Sequence, residues 1–295
     1  MRKIKITEAY SKIFNIRIYV FENILSQIAN GDDLNYEANK YLSRIKSLHV
    51  KKRELANLIL EVTQEDAKNG LRISRLQDAE IKNDIFSVST YPVSDEVKKL
   101  VKYIYENILF YSNYWNTLGE GEFSKMEFKR AFFGSQKNAI CPYCDSFEDL
   151  ELLSFEIDHL LPKSDFPLLY INEMNLIPCC VTCNHQHYGK GNRWNKKYYN
   201  LFKIILGLKI KFKFEPTLEI AGIDDISEDF VKLIKLESRY NNGTFPNEIA
   251  RLKKKVFKDL KKQKTNRTFL DEQAPRYFLI KEIYDYFLKE YGSTF

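Results

Sequence analysis

Apolar residues recur at the spacing of an amphipathic helix through much of the N-terminal part of the chain. This spacing predicts two long helices, over about residues 7–31 and about residues 36–66. Gly31 and Gly70 are the predicted helix stops, because glycine commonly follows the last turn of a helix. The Tyr-Pro-Val-Ser-Asp sequence at 91–95 predicts a break followed by a capped helix.

Aromatic residues recur at helical spacing after this break. They could stack on nucleic-acid bases, but this spacing favours packing in a core. The residues are Tyr103, Phe110, Tyr111, Tyr114 and Trp115.

The C-terminal part begins with a different pattern. Residues 208–214 alternate strictly between apolar residues and lysine, which predicts a strand with one buried face and the lysines on the other. Helical spacing then predicts a helix over 228–239, with Ser227 as its N-cap, and two more over about 247–264 and 276–290.

These patterns predict an α+β protein that is mostly helical and has three parts. Residues 1–135 form a helical N-terminal domain, residues 136–200 contain the cysteines, and residues 201–295 form a strand followed by helices. With 295 residues, of which 44% are hydrophobic, the chain can bury a substantial core, and disorder throughout is excluded.

Charge is unevenly distributed along the chain. The formal net charge is +6, but residues 136–200 carry 6 basic and 8 acidic side chains. Residues 251–267 hold nine basic residues and one acidic residue. This basic helix either contacts phosphates or simply presents a solvated face. Its candidate phosphate-binding residues are Lys254, Lys258 and Lys261.

Neither a targeting signal nor a membrane span is predicted. The first six residues alternate basic and apolar side chains, and no stretch reaches the 18 or so apolar residues that a membrane helix requires. We therefore expect a cytoplasmic protein without a membrane partner. In that reducing compartment, clustered cysteines are more typical of a metal site than of disulfides.

The five cysteines form a metal-binding pattern. Cys141 and Cys144 form one C-x2-C knuckle, Cys180 and Cys183 form another, and 35 residues separate the two. Four thiolates predict one tetrahedral zinc ion with no open position, which makes the zinc structural. Cys179 could replace Cys180 in a C-x3-C pair with Cys183, but we favour Cys180 and expect Cys179 to be a small buried residue.

The sequence between and after the knuckles contains a second pattern. Residues 155–163 read Phe-Glu-Ile-Asp-His-Leu-Leu-Pro-Lys, residues 175–178 read Asn-Leu-Ile-Pro, and Asn184 follows the last cysteine. The combination C-x2-C, D-H-x-x-P-K, N-L-I-P, C-x2-C-N resembles the zinc-bound HNH (His-Me finger) endonucleases over about 50 to 60 residues. This resemblance implies a ββα core, in which a two-stranded ribbon and a helix hold one catalytic metal ion.

The resemblance also implies a role for each matching residue. Asp158 and Asn184 would hold the metal ion, and their hard oxygen atoms suit Mg2+ or Mn2+ better than zinc. His159 would be the general base that activates water. Asn175 would brace the loop and orient the histidine. The alternatives are a buried core histidine for His159 and a surface turn for Asp158.

Further residues near the pattern are candidates. If a helix begins at Cys183, Asn184 and His187 share one face, which makes His187 a candidate third metal ligand. His185 would instead face solvent or contact phosphate. Flanking basic residues are candidate phosphate contacts, with plain surface exposure as the alternative. They are Lys163, Lys190 and Arg193.

Residues around the core pattern point to a more specific group of HNH nucleases. The sequence Glu-Ile-Asp-His-x-x-Pro-Lys-Ser with Phe166-Pro167, and Asn-Leu-Ile-Pro-Cys-Cys before the last knuckle, is similar to HNH nuclease subunits of Septu-type phage-defence systems, including retron-linked ones. This similarity implies a partner ATPase subunit. The chain has no G-x-x-x-x-G-K-[ST] motif, so nucleotide hydrolysis would come from that partner.

The sequence therefore predicts a metal-dependent endonuclease that cleaves DNA. An RNA nuclease, for example one that cleaves tRNA, is an alternative, because HNH chemistry uses an external water and does not need the 2′-hydroxyl. A catalytically silent zinc-knuckle module that binds nucleic acid or protein is another. The combination of Asp158, His159 and Asn184 argues against the silent module, since binding alone does not need these residues.

Overall fold

The computed structural model describes residues 7–133, 139–144, 147–148, 155–187, 189–199, 210–214 and 218–241, with single positions at 250, 251, 254 and 289. The helices are α1 (Glu8–Ile16), α2 (Asn23–Asn30), α3 (Lys40–Ile45), α4 (His49–Glu61), α5 (Gln64–Ile81), α6 (Asp95–Ile104), α7 (Ser112–Thr117), α8 (Lys125–Phe133), α9 (Val181–Asn184), α10 (Asp225–Leu233) and α11 (Leu236–Asn241). The strands are β1 (Ile85–Phe86), β2 (Ala139–Ile140), β3 (Phe147–Glu148), β4 (Phe155–His159), β5 (Leu176–Cys180), β6 (Tyr198–Tyr199), β7 (Ile210–Phe214) and β8 (Leu218–Gly222).

The described part of the chain is mostly helical, which confirms that part of the predicted fold class. Its strands are short and form two-stranded sheets, among them the pairs β2–β3, β4–β5 and β7–β8. β2–β3 and β7–β8 are antiparallel, and Phe212 lies opposite Ile220 in the second of these pairs. No described helix has both the length and the hydropathy that crossing a membrane requires.

The chain folds into two compact units. The helical unit comprises Ile4–Ser135 and Ile157–Ile177, and the cysteine unit comprises Met1–Lys3, Gln136–Glu156 and Pro178–Phe295. The division passes through strands β4 and β5. The three domains predicted from composition, 1–135, 136–200 and 201–295, stay a prediction.

The helical unit starts with one long helical run. α1, a π-helical segment over Arg17–Glu22 and α2 follow one another without a break. Its buried apolar side chains include Ile13, Val20 and Ile24, all fully shielded from solvent. Gly31 ends the run with φ of +77°, a backbone conformation that glycine adopts without the steric cost of a Cβ atom. The predicted stop at Gly31 is confirmed.

The predicted stop at Gly70 is wrong. Gly70 is buried in the middle of α5, which begins after the N-cap Thr63. A Cβ atom on Gly70 would lie 3.2 Å from Val97 Cγ1 and 3.4 Å from Leu25 Cδ1. The glycine therefore allows neighbouring helices to approach α5 closely, and this packing outweighs its low helix propensity.

The predicted helix over 36–66 is divided in the structure. α3 ends at Ile45, and α4 begins at His49 after a turn. Asn39 caps α3, because its side chain accepts hydrogen bonds from the backbone N–H groups of Tyr41 and Leu42.

The predicted capped helix after residue 94 is confirmed. The Ser94 side chain accepts a hydrogen bond from Val97 N at 3.5 Å, and α6 runs from Asp95 to Ile104 before a π-helical segment over Tyr105–Leu109. In the aromatic series, Tyr114 and Trp115 are fully buried. Core packing is therefore the correct interpretation for these two residues.

In the cysteine unit, β7 confirms the predicted strand over 210–214, and residues 208 and 209 lie outside the described residues.

The predicted N-cap of the next helix is Ser227, but the structure assigns that role to Asp224. The Asp224 carboxylate accepts a hydrogen bond from Ser227 N at 2.8 Å, and Ser227 itself lies in the first turn of α10. The helices predicted over 247–264 and 276–290 fall outside the described residues, except for positions 250, 251, 254 and 289.

Candidate functional site

The cysteine unit brings the two C-x2-C knuckles together. The sulfur atoms of Cys141, Cys144, Cys180 and Cys183 all lie within 4.8 Å of one another, and Cys144 Sγ is 3.8 Å from Cys180 Sγ. All four residues are buried, and none of the five cysteines forms a disulfide. Cys179 lies in β5 outside this group and is fully buried, as predicted.

The donor set of this group suits zinc. Zinc–sulfur bonds of about 2.3 Å in a tetrahedron place sulfur atoms about 3.8 Å apart, and this is the spacing between Cys144 and Cys180. Two backbone N–H groups also point at sulfur atoms, from Cys183 to Cys180 and from Cys180 to Cys141, each at 3.4 Å. The four cysteines can therefore bind one zinc ion, with no further ligand position.

Crowding affects the protonation of these thiols. Burial raises the pKa of the Cys141 thiol, and hydrogen bonds with the other three cysteines raise that of Cys183. Thiolates gathered in a buried site need a cation to balance their charge.

Several contacts hold the knuckles in place. The Tyr240 hydroxyl in α11 donates to Cys144 O at 2.8 Å, and the fully buried Tyr143 ring packs edge-on against Phe230 of α10 at 6.2 Å between centroids. These contacts tie the first knuckle to the helices that follow β8.

Gly189 allows the chain to turn back against the second knuckle. A Cβ atom at this position would lie 2.2 Å from the carbonyl oxygens of both Thr182 and Cys183, so only glycine fits. The next residue, Lys190, donates its backbone N–H to Cys183 O at 2.7 Å.

In the helical unit, Asp158 and His159 end strand β4. They are adjacent in the chain, yet only 5% of Asp158 and 6% of His159 are exposed. A regular strand with one solvated face would bury only one of two successive residues, so the alternation is broken at this strand end.

Aromatic residues surround the His159 imidazole. The His159 ring centroid lies 5.2 Å from that of Tyr105 and 5.1 Å from that of Tyr170, and the two tyrosine rings are 4.8 Å apart. His159 Nε2 lies 3.1 Å from the Tyr170 carbonyl oxygen. Burial raises the pKa of Tyr105, and the charges of Glu106 and Asp158 add to this rise. The histidine is therefore held on two sides by residues that sequence reasoning did not identify.

Asn175 cross-links the loop that follows β4. Its side-chain oxygen accepts from Leu161 N at 2.7 Å, and its side-chain nitrogen donates to the carbonyls of Leu161 at 3.1 Å and Leu169 at 3.0 Å. Its backbone carbonyl also accepts from Leu160 N at 2.9 Å. Asn175 is fully buried, so all of these bonds are shielded from water.

Two lysine side chains lie over the tyrosine rings that contact His159. Lys163 Nζ is 4.8 Å from the Tyr170 ring centroid, and Lys125 Nζ is 5.6 Å from that of Tyr105. Sequence reasoning identified Lys163 as a candidate and missed Lys125. Lys125 lies 33 residues before Asp158 and has no local signal of its own.

The other candidates lie in the cysteine unit. The Asn184 side-chain nitrogen donates to Glu156 Oε2 at 2.5 Å. α9 begins at Val181 and ends at Asn184, with His185 in extended backbone. The argument that put His187 on the same helix face as Asn184 is therefore wrong, although His187 as a metal ligand stays a prediction.

The structure gives Lys190 and Arg193 backbone partners. The fully buried Lys190 donates from Nζ to Gly191 O at 3.1 Å. The Arg193 guanidinium donates to the carbonyls of Gly189, Lys190 and Leu233. Phosphate contact by these residues stays a prediction. Lys254 is helical and exposed, and Lys258 and Lys261 lie outside the described residues.

The predicted site residues are thus divided between the units. The helical unit holds Asp158, His159, Lys163 and Asn175. The cysteine unit holds the four cysteines of the metal-binding group, together with Asn184, His187, Lys190 and Arg193.

Comparison with known proteins gives one partial match. Over 79 residues the chain is 35% identical to Septu protein PtuB of Bacillus thuringiensis. The matched segment covers 27% of this chain and 29% of PtuB. The match thus spans less than a third of the length of PtuB. No protein-family description matches the chain, and no solved structure matches it significantly. The comparison supports a Septu-like relation for part of the chain.

Proposed function

We propose that this protein is a metal-dependent HNH endonuclease that hydrolyses phosphodiester bonds of DNA. The main support is the position of His159, which is buried beside Asp158 at the end of β4. Its Nε2 lies 3.1 Å from the Tyr170 carbonyl oxygen. The partial identity to PtuB supports the Septu-like relation that the motifs suggest.

The bond to Tyr170 assigns the two ring nitrogens of His159 different roles. A carbonyl oxygen can only accept a hydrogen bond, so the neutral imidazole carries its proton on Nε2. Its lone pair then lies on Nδ1, which would accept a proton from the attacking water. Asn175 is a positioning residue in this mechanism, because its bonds hold the loop that contains the Tyr170 carbonyl.

Asp158 and Asn184 would hold Mg2+ or Mn2+, with His187 as a candidate third ligand. Because the Asn184 amide nitrogen donates to Glu156, Asn184 would bind a cation through Oδ1. Carboxylate and amide oxygens are the donors that Mg2+ and Mn2+ prefer. When bound, such an ion supplies positive charge to the scissile phosphate and to the departing oxygen.

The four-cysteine group would hold a structural zinc ion. It offers four sulfur ligands and no open coordination position, which is typical of structural zinc sites and unsuited to catalysis. Zinc and the catalytic metal ion would therefore have separate ligands and separate roles.

The biological role that fits these features is defence against phage. The partial match to PtuB agrees with the motif resemblance to nuclease subunits of Septu-type systems. We therefore propose that the chain is the nuclease effector of a bacterial defence complex and works with an ATPase subunit.

The test is cleavage by purified protein. The full chain is incubated with plasmid DNA, single-stranded DNA and RNA in Mg2+ or Mn2+, beside His159→Ala and the control His49→Ala. His49 is an exposed histidine at the start of α4. We expect DNA cleavage by the wild type and the control and none by His159→Ala.

The outcomes separate the competing functions. Cleavage of RNA alone would indicate the RNA nuclease instead. Cleavage that persists in His159→Ala would refute the proposed mechanism. Activity that appears only after addition of an ATPase encoded beside this protein would support the defence complex. Binding without cleavage, with or without that ATPase, would favour the silent zinc-knuckle module.

A further inference from the structure

Lysines from separate segments of the helical unit gather around the candidate general base. Lys125 begins α8, and Lys163 lies in the loop after β4. Each places its ammonium group over a tyrosine ring that packs against His159. The two ammonium groups therefore lie near His159, each over a different tyrosine ring.

Neither ammonium group forms an ion pair within the part of the chain that the structure describes. Within the described residues, neither Lys125 nor Lys163 has a carboxylate oxygen within 4.0 Å. Burial lowers the pKa of Lys163, and the positive charges of Lys125 and Lys102 lower it further. Lys102 is an exposed residue of α6.

Two acidic groups oppose the neighbouring lysines, and Glu106 acts on the pKa of Lys163 more strongly than either lysine does. Glu106 and Asp158 raise the pKa of Lys163, and Glu106 also accepts a hydrogen bond from the Tyr170 hydroxyl at 3.4 Å. Like charges brought together without direct partners raise the free energy of the folded state. An anionic ligand would relieve this repulsion.

We propose that Lys125 and Lys163 form a phosphate clamp that holds the nucleic-acid backbone beside His159. This inference rests on the proposed function and extends it to how the substrate is recognised. A lysine ammonium binds a phosphate oxygen as a point charge and does not read base edges. The clamp therefore gives binding that is independent of sequence.

Phosphate explains this arrangement better than the other available roles do. Ammonium groups cannot bind a metal ion, since they have no lone pair to donate. If the lysines served only in cation–π contacts with the tyrosine rings, their charge would act within the protein and would not contribute to the salt dependence of DNA binding. Phosphate binding and ring contact therefore predict different effects of salt on DNA affinity.

The test measures binding separately from cleavage. His159→Ala protein is titrated with fluorescently labelled double-stranded DNA, without divalent ions, over a series of salt concentrations. Lys125→Met and Lys163→Met are added to this background, because methionine keeps an apolar stem against the ring and removes the charge. Lys46→Met is the control, since Lys46 is an exposed lysine of the same unit that pairs with Glu37.

We expect each clamp variant to weaken binding severalfold at low salt. Each should also reduce the slope of log affinity against log salt by about 0.9, the value for one phosphate contact. Lys125→Arg and Lys163→Arg should restore most of the affinity. The Lys46→Met control should match its parent, and melting curves should show that all variants are folded.

Unchanged affinity and unchanged slope in both methionine variants would overturn the clamp. So would weakened binding that arginine does not rescue, because that result indicates a packing role. The proposed nuclease function is judged separately, by cleavage in the otherwise native protein. Loss of that function would leave the binding result valid, and failure of the clamp would leave the role of His159 intact.

Discussion

Nε2 of His159 lies 3.1 Å from the backbone carbonyl oxygen of Tyr170. The residue before Tyr170 is Leu169, whose carbonyl accepts a hydrogen bond from the Asn175 side chain at 3.0 Å. Asn175 thus fixes the backbone that presents an acceptor to His159. The orientation of the imidazole therefore depends on the buried Asn175 amide, so the two residues should respond together to substitution.

We predict that Asn175→Ala loses both stability and cleavage. It leaves three backbone groups of Leu161 and Leu169 without their side-chain partner, at about 1–3 kcal/mol for each group that stays unsatisfied. Urea unfolding measures the loss of stability. Assays at a temperature where the variant remains folded should show a fall in kcat of at least about tenfold, because orientation of a catalytic group contributes at this scale.

Nitrogen NMR of the imidazole tests whether Asn175 acts by positioning. The wild type should show the tautomer with its proton on Nε2, and Asn175→Ala should shift toward a mixture. The control is Asn69→Ala, whose side chain donates to Pro92 O in a more exposed position. An unchanged tautomer with normal kcat in folded Asn175→Ala would assign Asn175 a purely structural role.

A second prediction concerns the buried guanidinium of Arg17. It donates to both oxygens of Glu173 at 3.0 and 2.9 Å, and also contacts Asp78 at 3.0 Å and Glu22 at 3.2 Å. Burial lowers the pKa of Arg17, but these carboxylates outweigh it and leave the pKa above its usual value. Arg17→Met would leave Glu173 without the guanidinium, whereas Asp78 keeps Lys82 at 2.6 Å and Glu22 keeps Arg75 at 3.8 Å. Removing one partner of this buried ion pair should cost about 3–5 kcal/mol.

Urea unfolding at neutral pH measures this cost. The exposed Arg53→Met in α4 is the control and should change stability by no more than about 0.5 kcal/mol. Glu173→Gln added to Arg17→Met should recover part of the loss, since it removes the carboxylate charge that the guanidinium no longer balances. Equal stability of Arg17→Met and wild type would show that the ion pairs contribute nothing net.

A third prediction separates the five cysteines. Cys144→Ser and Cys180→Ser should each lose zinc and lower the melting temperature, because binding of a structural zinc ion stabilises the fold. Cys179→Ala should keep its zinc, since Cys179 is buried but lies outside the four-sulfur group. Metal content by mass spectrometry and thermal melting provide the measurements. Full zinc content in either serine variant would contradict the four-cysteine site.

Local sequence patterns predicted several elements of the fold correctly. The N-terminal helical run, its end at Gly31, the capped helix after Ser94 and the strand over 210–214 depend on interactions between residues close in sequence. Gly70 shows where such reasoning fails. Its low helix propensity is a local property, whereas the space it provides beside Val97 and Leu25 exists only after the helices have packed.

The same contrast applies to the candidate site. The two C-x2-C knuckles could be identified from the chain by their spacing, and Asp158, His159 and Asn175 became candidates through the motif resemblance. The surroundings of His159 could not be identified in these ways, since Tyr105 and Lys125 are separated from it by 54 and 34 residues. Contacts over such separations arise from the packing of α8 and of the π-helical segment that follows α6, and packing is decided by the shapes and burial of many side chains together.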